Sequence, residues 1–321
     1  MGIQELIGIL KKCTGRIFIQ THNFPDADAI TSAFGLQKLF EYFELKSSII
    51  YIGKVEKFNI SLMLKMFEIT ITDAASITDM NMDDFIVVVD AQKNNANILD
   101  VDGDEVACID HHPIFAQGDY QYSDIRPGTG ACASIIASYF FEEEIPLDQN
   151  TATALLYGIK MDTLDLSRGV SPLDIDMFYQ LFKIANTNVL SKMQANTLEF
   201  HDLIGFGEAI QNIRVYDNLG VARIDVHCPD ALIAAISDFI LSTVEIEIAI
   251  VYNFREDGIK FSVRNEVPNL DAGKATQQAL SGIGSGGGHA FMAGGFIPHG
   301  YDFDGIDDVI RDRFLRSFGK I

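Results

Sequence analysis

The chain has 321 residues, 48% of them hydrophobic, and a formal net charge of −21. That much apolar material can fill more than one core, so two domains are expected. The charge argues against tracking long nucleic acid, which needs a basic stripe to neutralise phosphates. No stretch offers the run of ~18 apolar residues that a membrane helix requires, because Asp238, Glu245 and Glu247 break the greasiest region.

In chain order, Ile3, Leu6, Ile7 and Leu10 share one side of a short amphipathic helix. That segment has no signal-peptide core. RIFIQTH (16–22) reads as a strand and AITSAFGLQKLFEYFEL (29–45) as a helix. SSIIYIG, DFIVVVDA (84–91) and EVACID (105–110) read as further strands. Short strands alternating with helices, without hairpin signals, predict a mostly parallel sheet covered on both faces. GACASIIASYFFEEE, QNTATALLYGIKMD and SPLDIDMFYQLFKIAN supply more helices, and VLSKMQANTLEFHDLIGFGEAIQN reads as a long connecting helical stretch. Beyond it, Ile246, Ile248 and Ile250 alternate on one strand and Ile259, Phe261 and Val263 on the next, an antiparallel hairpin. Lys260, Ser262 and Arg264 share that hairpin's other face. The fold class is therefore α/β, with an N-terminal domain at 1–190. A connecting helix and a smaller α/β domain with a mixed or antiparallel sheet follow at 191–321. Cys13, Cys108, Cys132 and Cys228 are too scattered for a metal or redox motif. They are expected to be reduced thiols of a cytoplasmic protein.

Chemistry-bearing residues gather where strands end. His22, Asp26 and Asp28 follow RIFIQT, Asp90 follows FIVVV, and Asp110, His111 and His112 follow VACI. Asp162 closes TALLYGIKM, at the end of a helix. Open α/β sheets bind ligands beyond the carboxyl ends of their strands. Singly, Asp28 also reads as a cap for a helix starting at Ala29, and Asp90 and Asp162 as turn residues. Jointly, so many carboxylates repel one another unless a cation neutralises them. Mixed His/Asp ligation without Cys suits Mn²⁺ or a similar borderline-hard ion.

HNFPDADA, VVVDA, CIDHHP and YGIKMDT, in this order, resemble the motifs of the DHH phosphoesterase superfamily. SGIGSGGGHAFMAGG (281–295) is similar to the glycine-rich signature of its associated C-terminal domain. The resemblance implies a Mn²⁺ held by His22, Asp26 and Asp90. It implies a second held by Asp28, Asp90, His111 and Asp162, with Mg²⁺ or Co²⁺ as substitutes. His112 would face the substrate phosphate, with Asp110 orienting the His pair. Arg264, Gly286, Gly287, Gly288 and His289 would grip the nucleotide, although the glycine run also reads as a flexible turn and Arg264 as a solvated strand-end residue. Ala27 replaces the usual Gly of the first motif, Ser285 interrupts the glycine run, and AQKNNANI lacks the Arg often found after Asp90.

The resemblance implies hydrolysis of short oligonucleotides, such as nanoRNA and dinucleotides, or of 3′-phosphoadenosine 5′-phosphate (pAp). Alternatives are a phosphodiesterase acting on cyclic-dinucleotide breakdown products and a catalytically silent nucleotide sensor. The expected partner is a short oligonucleotide or small phosphorylated nucleotide, with neither long duplex DNA nor a membrane, and the family resemblance adds a homodimer.

Overall fold

The computed structural model describes residues 2–53, 55, 58–95, 97–114, 118–195, 198–300 and 305–320. It divides into two compact units, Met1–Thr197 and Leu198–Ile321.

The first unit runs α1 (Ile3–Leu10), β1 (Ile17–Gln20), α2 (Ala27–Tyr42), β2 (Ser47–Tyr51), α3 (Phe58–Phe67), β3 (Ile71–Asp73), β4 (Phe85–Val89), β5 (Asp104–Asp110) and β6 (Tyr122–Ile125). Helices α4 (Cys132–Glu142), α5 (Gln149–Asp162), α6 (Pro172–Phe182) and α7 (Thr187–Ala195) complete it. All six strands are parallel, in the order β3-β2-β1-β4-β5-β6. Because successive strand residues face opposite ways, Ile17 and Ile19 join a core with the helices, while Phe18 faces Ile50, Ile86 and Val88 on the other side. Both faces are thus covered, but unequally: Ala74, Ala91 and Ile98, outside the α-helices, cap the second. The β4–β5 register steps once. Ile86 lies beside Glu105 and Val87 beside Ala107, so β5 carries one extra residue at Val106.

The expected connecting stretch is not one helix. Helix α7 ends at Ala195 and α8 (Asp202–Asn212) begins seven positions later, with residues 196 and 197 outside the described set. The second unit continues with β7 (Arg214–Tyr216), β8 (Leu219–Ile224), α9 (Asp230–Leu241), β9 (Ile248–Arg255), β10 (Gly258–Asn265), α10 (Ala272–Leu280), β11 (Ser285–Gly288), β12 (Met292–Pro298) and α11 (Ile306–Ser317). Its sheet, ordered β11-β12-β10-β9-β8-β7, is antiparallel except for the parallel β8–β9 pair. One face packs on α10 and α11, the other on α8 and α9. Among the described residues no helix is long and apolar enough to cross a membrane.

The glycine run forms edge strand β11 rather than a loop or flexible turn. A side chain at Gly273 would overlap the Gly288 carbonyl, and one at Gly286 would lie 2.7 Å from Thr276 Cγ2. Close seating of α10 on β11 therefore depends on bare backbone. Gly273→Ala should lower stability by about 1–3 kcal/mol, read as a reduced urea midpoint. An unchanged midpoint would mean the two elements separate without cost.

Candidate metal centre

The first-motif turn joins β1 to α2. Helix α2 begins at Ala27, not Ala29, and its cap is Asp26, whose Oδ1 accepts the Ala29 amide at 3.1 Å. The expectation of Asp28 as cap is therefore corrected. Two residues after the cap, the Asp28 side chain points inward and is 2% exposed. Asp28 Oδ2 accepts the Cys132 amide at 2.7 Å and Oδ1 accepts Ala133 at 2.9 Å. Those are first-turn amides of α4, a natural seat for negative charge. Gly158 of α5 makes room, since a Cβ there would stand 3.2 Å from Asp28 Oδ1 and overlap Thr31.

Asp90 leaves β4 at φ 58, and its N–H donates to the Ile109 carbonyl at 2.9 Å. This left-handed residue turns its carboxylate over the end of the sheet. There Asp90 Oδ2 lies 3.7 Å from His22 Nε2, and Oδ1 lies 3.2 Å from His111 Nε2. His22 Nε2 is also 3.8 Å from Asp26 Oδ1, and His111 Nε2 is 3.4 Å from Asp162 Oδ2 and 3.9 Å from Asp28 Oδ2. Asp162 is the last residue of α5.

Among the described residues three groups have donor atoms within 4.8 Å of one another: His22–Asp26–Asp90, Asp28–His111–Asp162, and Asp90–Asp110–His111–His112, in which Asp110 already ties up His112 Nδ1. The donor set fits a cation on three grounds. Asp90 Oδ1 is buried and accepts no backbone amide, its nearest polar neighbour being His111 Nε2 at 3.2 Å. The donors are nitrogen and oxygen only, as a borderline-hard ion prefers. Both imidazoles are also pre-oriented: Nδ1–H of His22 donates to the Asn23 carbonyl at 2.9 Å and that of His111 to Thr129 at 3.0 Å, leaving each Nε2 aimed at the carboxylates.

The adjacent pair divides as its environment dictates. Asp110, fully buried, accepts the His111 amide and His112 Nδ1–H with the same oxygen, both at 2.8 Å. Its other oxygen accepts Gln92 Nε2 at 2.6 Å. Burial opposes ionisation of Asp110, but His112 and Gln92 outweigh it and hold the carboxyl below its ordinary range. The Asp110 hydrogen bond in turn raises the His112 pKa. His112 keeps 42% of its side chain exposed, so its Nε2 is open to a ligand.

Several supporting residues escaped the sequence reading. Gln92 also donates to the His112 and Pro113 carbonyls at 3.2 and 3.3 Å. Buried Asp174 accepts the Gly130 amide and the Ser134 hydroxyl at 2.7 and 2.5 Å, bracing the loop whose Thr129 carbonyl orients His111. Arg168 donates to the Asp162 carbonyl at 2.8 Å. Only adjacency to a motif could have flagged them.

In the second unit, β12 lies between the remaining candidates, pairing Met292 with Arg264 on one side and Ala293 with Gly288 on the other. Arg264 Nε donates to Asp238 at 2.5 Å and Nη1 to Ser262 Oγ at 3.2 Å. A Cβ at Gly287 would meet open space. The His289 ring stacks on Phe291 with centroids 5.8 Å apart.

Residues 16–159 match the DHH family, N-terminal domain, and residues 217–315 match the DHHA1 domain. An uncharacterized protein of Methanocaldococcus jannaschii is 29% identical over 294 residues, covering 91% of this chain and 60% of that protein. The cyclic-di-AMP phosphodiesterase GdpP of Bacillus subtilis is 24% identical over 305 residues, 86% of this chain and 44% of its own length. The chain thus spans about half the length of these curated relatives. The crystal structure of an exopolyphosphatase-related protein from Bacteroides fragilis shares the fold at a TM-score of 0.72. The match covers 98% of this chain and 96% of that one, at 16% identity.

The imidazoles set a pH dependence. Burial works against charged rings, but Asp26 and Asp90 raise His22 to about 9, and Asp90 and Asp28 raise His111 to about 11. In the protein alone both rings are protonated near neutrality, and a cation must displace those protons. Mn²⁺ affinity should therefore rise steeply between about pH 6 and 8, by about tenfold per pH unit for each proton displaced. Titration calorimetry in buffers of different ionisation enthalpy would count those protons. A flat affinity without proton release would remove both imidazoles from the ligand set.

Proposed function

Because the chain belongs to the DHH superfamily, we propose that it is a phosphoesterase using two divalent cations, Mn²⁺ foremost, to hydrolyse short oligonucleotides or pAp. The observation that carries this reading is Asp90, reaching one ligand group with each carboxylate oxygen. In this reading His22, Asp26 and Asp90 hold one cation, and Asp28, Asp90, His111 and Asp162 the other. When bound, the cations supply a water of lowered pKa and offset charge on the phosphoryl oxygens.

The chain's own residues do the rest. Asp110 holds His112 at Nδ1 and favours its protonated form. Nε2–H is then free to donate to a phosphoryl oxygen as charge shifts onto it in the transition state. Gln92 fixes Asp110 from the other side, so the donor keeps its aim without reorganising during reaction. In the second unit, Arg264 and the outer-edge backbone of Gly286–Gly288 suit a terminal phosphate, with His289 adding a side-chain contact. Exchange of Asp238 for substrate phosphate would free the Arg264 guanidinium.

The net charge of −21 favours small phosphorylated ligands over long strands. A second reading, cleavage of dinucleotides derived from cyclic signals, draws support from the likeness to GdpP. A silent sensor is disfavoured, because all six ligand positions are filled.

Product analysis with Mn²⁺ on pAp, a 5′-phosphorylated dinucleotide, a long single strand and pyrophosphate tests the proposal. AMP from pAp or mononucleotide from the dinucleotide is expected, with the long strand barely touched. Preferential cleavage of the long strand or of pyrophosphate would overturn the substrate class. His112→Ala should keep both cations, by metal analysis, and lower kcat by about 10²–10⁴-fold. A near-normal kcat would take His112 out of the reaction.

A further inference from the structure

Phe24 sits midway between His22 and Asp26, in the turn that delivers both to the metal centre. It is an aromatic residue at φ 53, yet it is 65% exposed. Bulky side chains rarely take that conformation, and such outliers persist where the surroundings over-determine them. Here they do. The Phe24 amide donates to the Ile52 carbonyl at 2.9 Å and the Asn23 amide to Asn97 at 2.7 Å. The Leu99 amide donates back to Asn23 Oδ1 at 3.3 Å.

One side of the ring is occupied. Gly53, just beyond β2, takes φ 105, and a Cβ there would lie 2.7 Å from Phe24 Cδ1 and Cε1. The ring therefore rests on bare backbone, with its remaining surface in solvent. Burying this phenyl in the core would be the ordinary outcome. The turn instead presents a flat apolar surface two positions along the chain from His22 and from Asp26, whose side chains are among the metal-centre donors.

We infer that Phe24 is a stacking platform for the base next to the phosphate handled at the metal centre, and so sets specificity for nucleotides over base-free phosphates. This rests on the phosphate-handling reading above. Stacking suits the place because any base offers a π-face, so a fixed phenyl selects for a base without selecting its sequence. The ring is held before binding, so little side-chain entropy is lost when a base docks. A nucleobase is the favoured occupant over an aliphatic chain because the partner must also carry the phosphate.

The test is calorimetric titration of the full-length, Mn²⁺-loaded protein with AMP and with ribose 5-phosphate. Wild type should bind AMP more tightly by about 5- to 150-fold, the range for one stacked base. Phe24→Ala should abolish that margin while leaving Mn²⁺ stoichiometry and ribose 5-phosphate affinity unchanged, and Phe24→Trp should keep it. Should Phe24→Ala fold poorly, Phe24→Asn removes the ring with a residue that tolerates positive φ. A margin that survives loss of the ring, a wild type that does not discriminate, or loss of Mn²⁺ on substitution would each overturn the inference. A protein that turns over no phosphoester but keeps the Phe24-dependent margin would sink the reaction and leave the platform standing.

Discussion

Four aspartates share the carboxyl edge of one parallel sheet, and the organisation of the first unit follows from holding their charges together. Two like charges about 4 Å apart repel by about 4 kcal/mol even at an effective dielectric of 20. Burial adds to the difficulty, pushing Asp28 well above its ordinary range, and Asp90 and Asp162 upward with it. The fold answers locally where it can. Asp28 receives two amides from the start of α4, and Asp26 spends one oxygen on its own helix cap. Asp90 Oδ1 receives no backbone amide and has only the His111 ring beside it, Nε2 lying 3.2 Å away. Once that imidazole gives up its proton, the buried oxygen faces the imbalance that a divalent ion corrects.

Much of this was legible in the chain because it rests on local rules. The apolar runs read as strands at 84–91 and 105–110 become β4, which ends at Val89, and β5, which ends at Asp110. Strand ends in an open α/β sheet are where polar residues must serve a ligand or a turn. What remained hidden depends on long-range packing. Gly158 and Asp174 look ordinary in sequence, and only the approach of α2, α4 and α5 reveals their work. The start of α2 was misjudged for a similar reason. Two aspartates compete for the cap, and only the buried amides of α4 draw Asp28 inward and leave Asp26 to close the helix.

The glycine run carries a related lesson. In sequence, consecutive glycines suggest freedom. In the second unit Gly286 and Gly288 instead serve closeness, because a side chain would meet Thr276 of α10 at the first and the Met292 carbonyl of β12 at the second. Gly287 alone faces open space. The same residue type thus plays two parts within three positions, and backbone pairing with β12 decides which is which.

The single extra residue in β5 sets which way the end of that strand faces. Side chains along a strand alternate faces, so one inserted residue reverses the phase of everything downstream. Before Val106, Asp104 stands beside Phe85 and Glu105 beside Ile86; after it, Ala107 stands beside Val87. The triplet Asp110–His111–His112 therefore reaches the sheet edge half a pleat away from where an uninterrupted ladder would set it. Here the length of a strand, counted in residues, acts as a ligand-selecting variable alongside the identity of its side chains. A deletion at Val106 would leave every coordinating residue in the chain and still turn the tip of β5 the wrong way round.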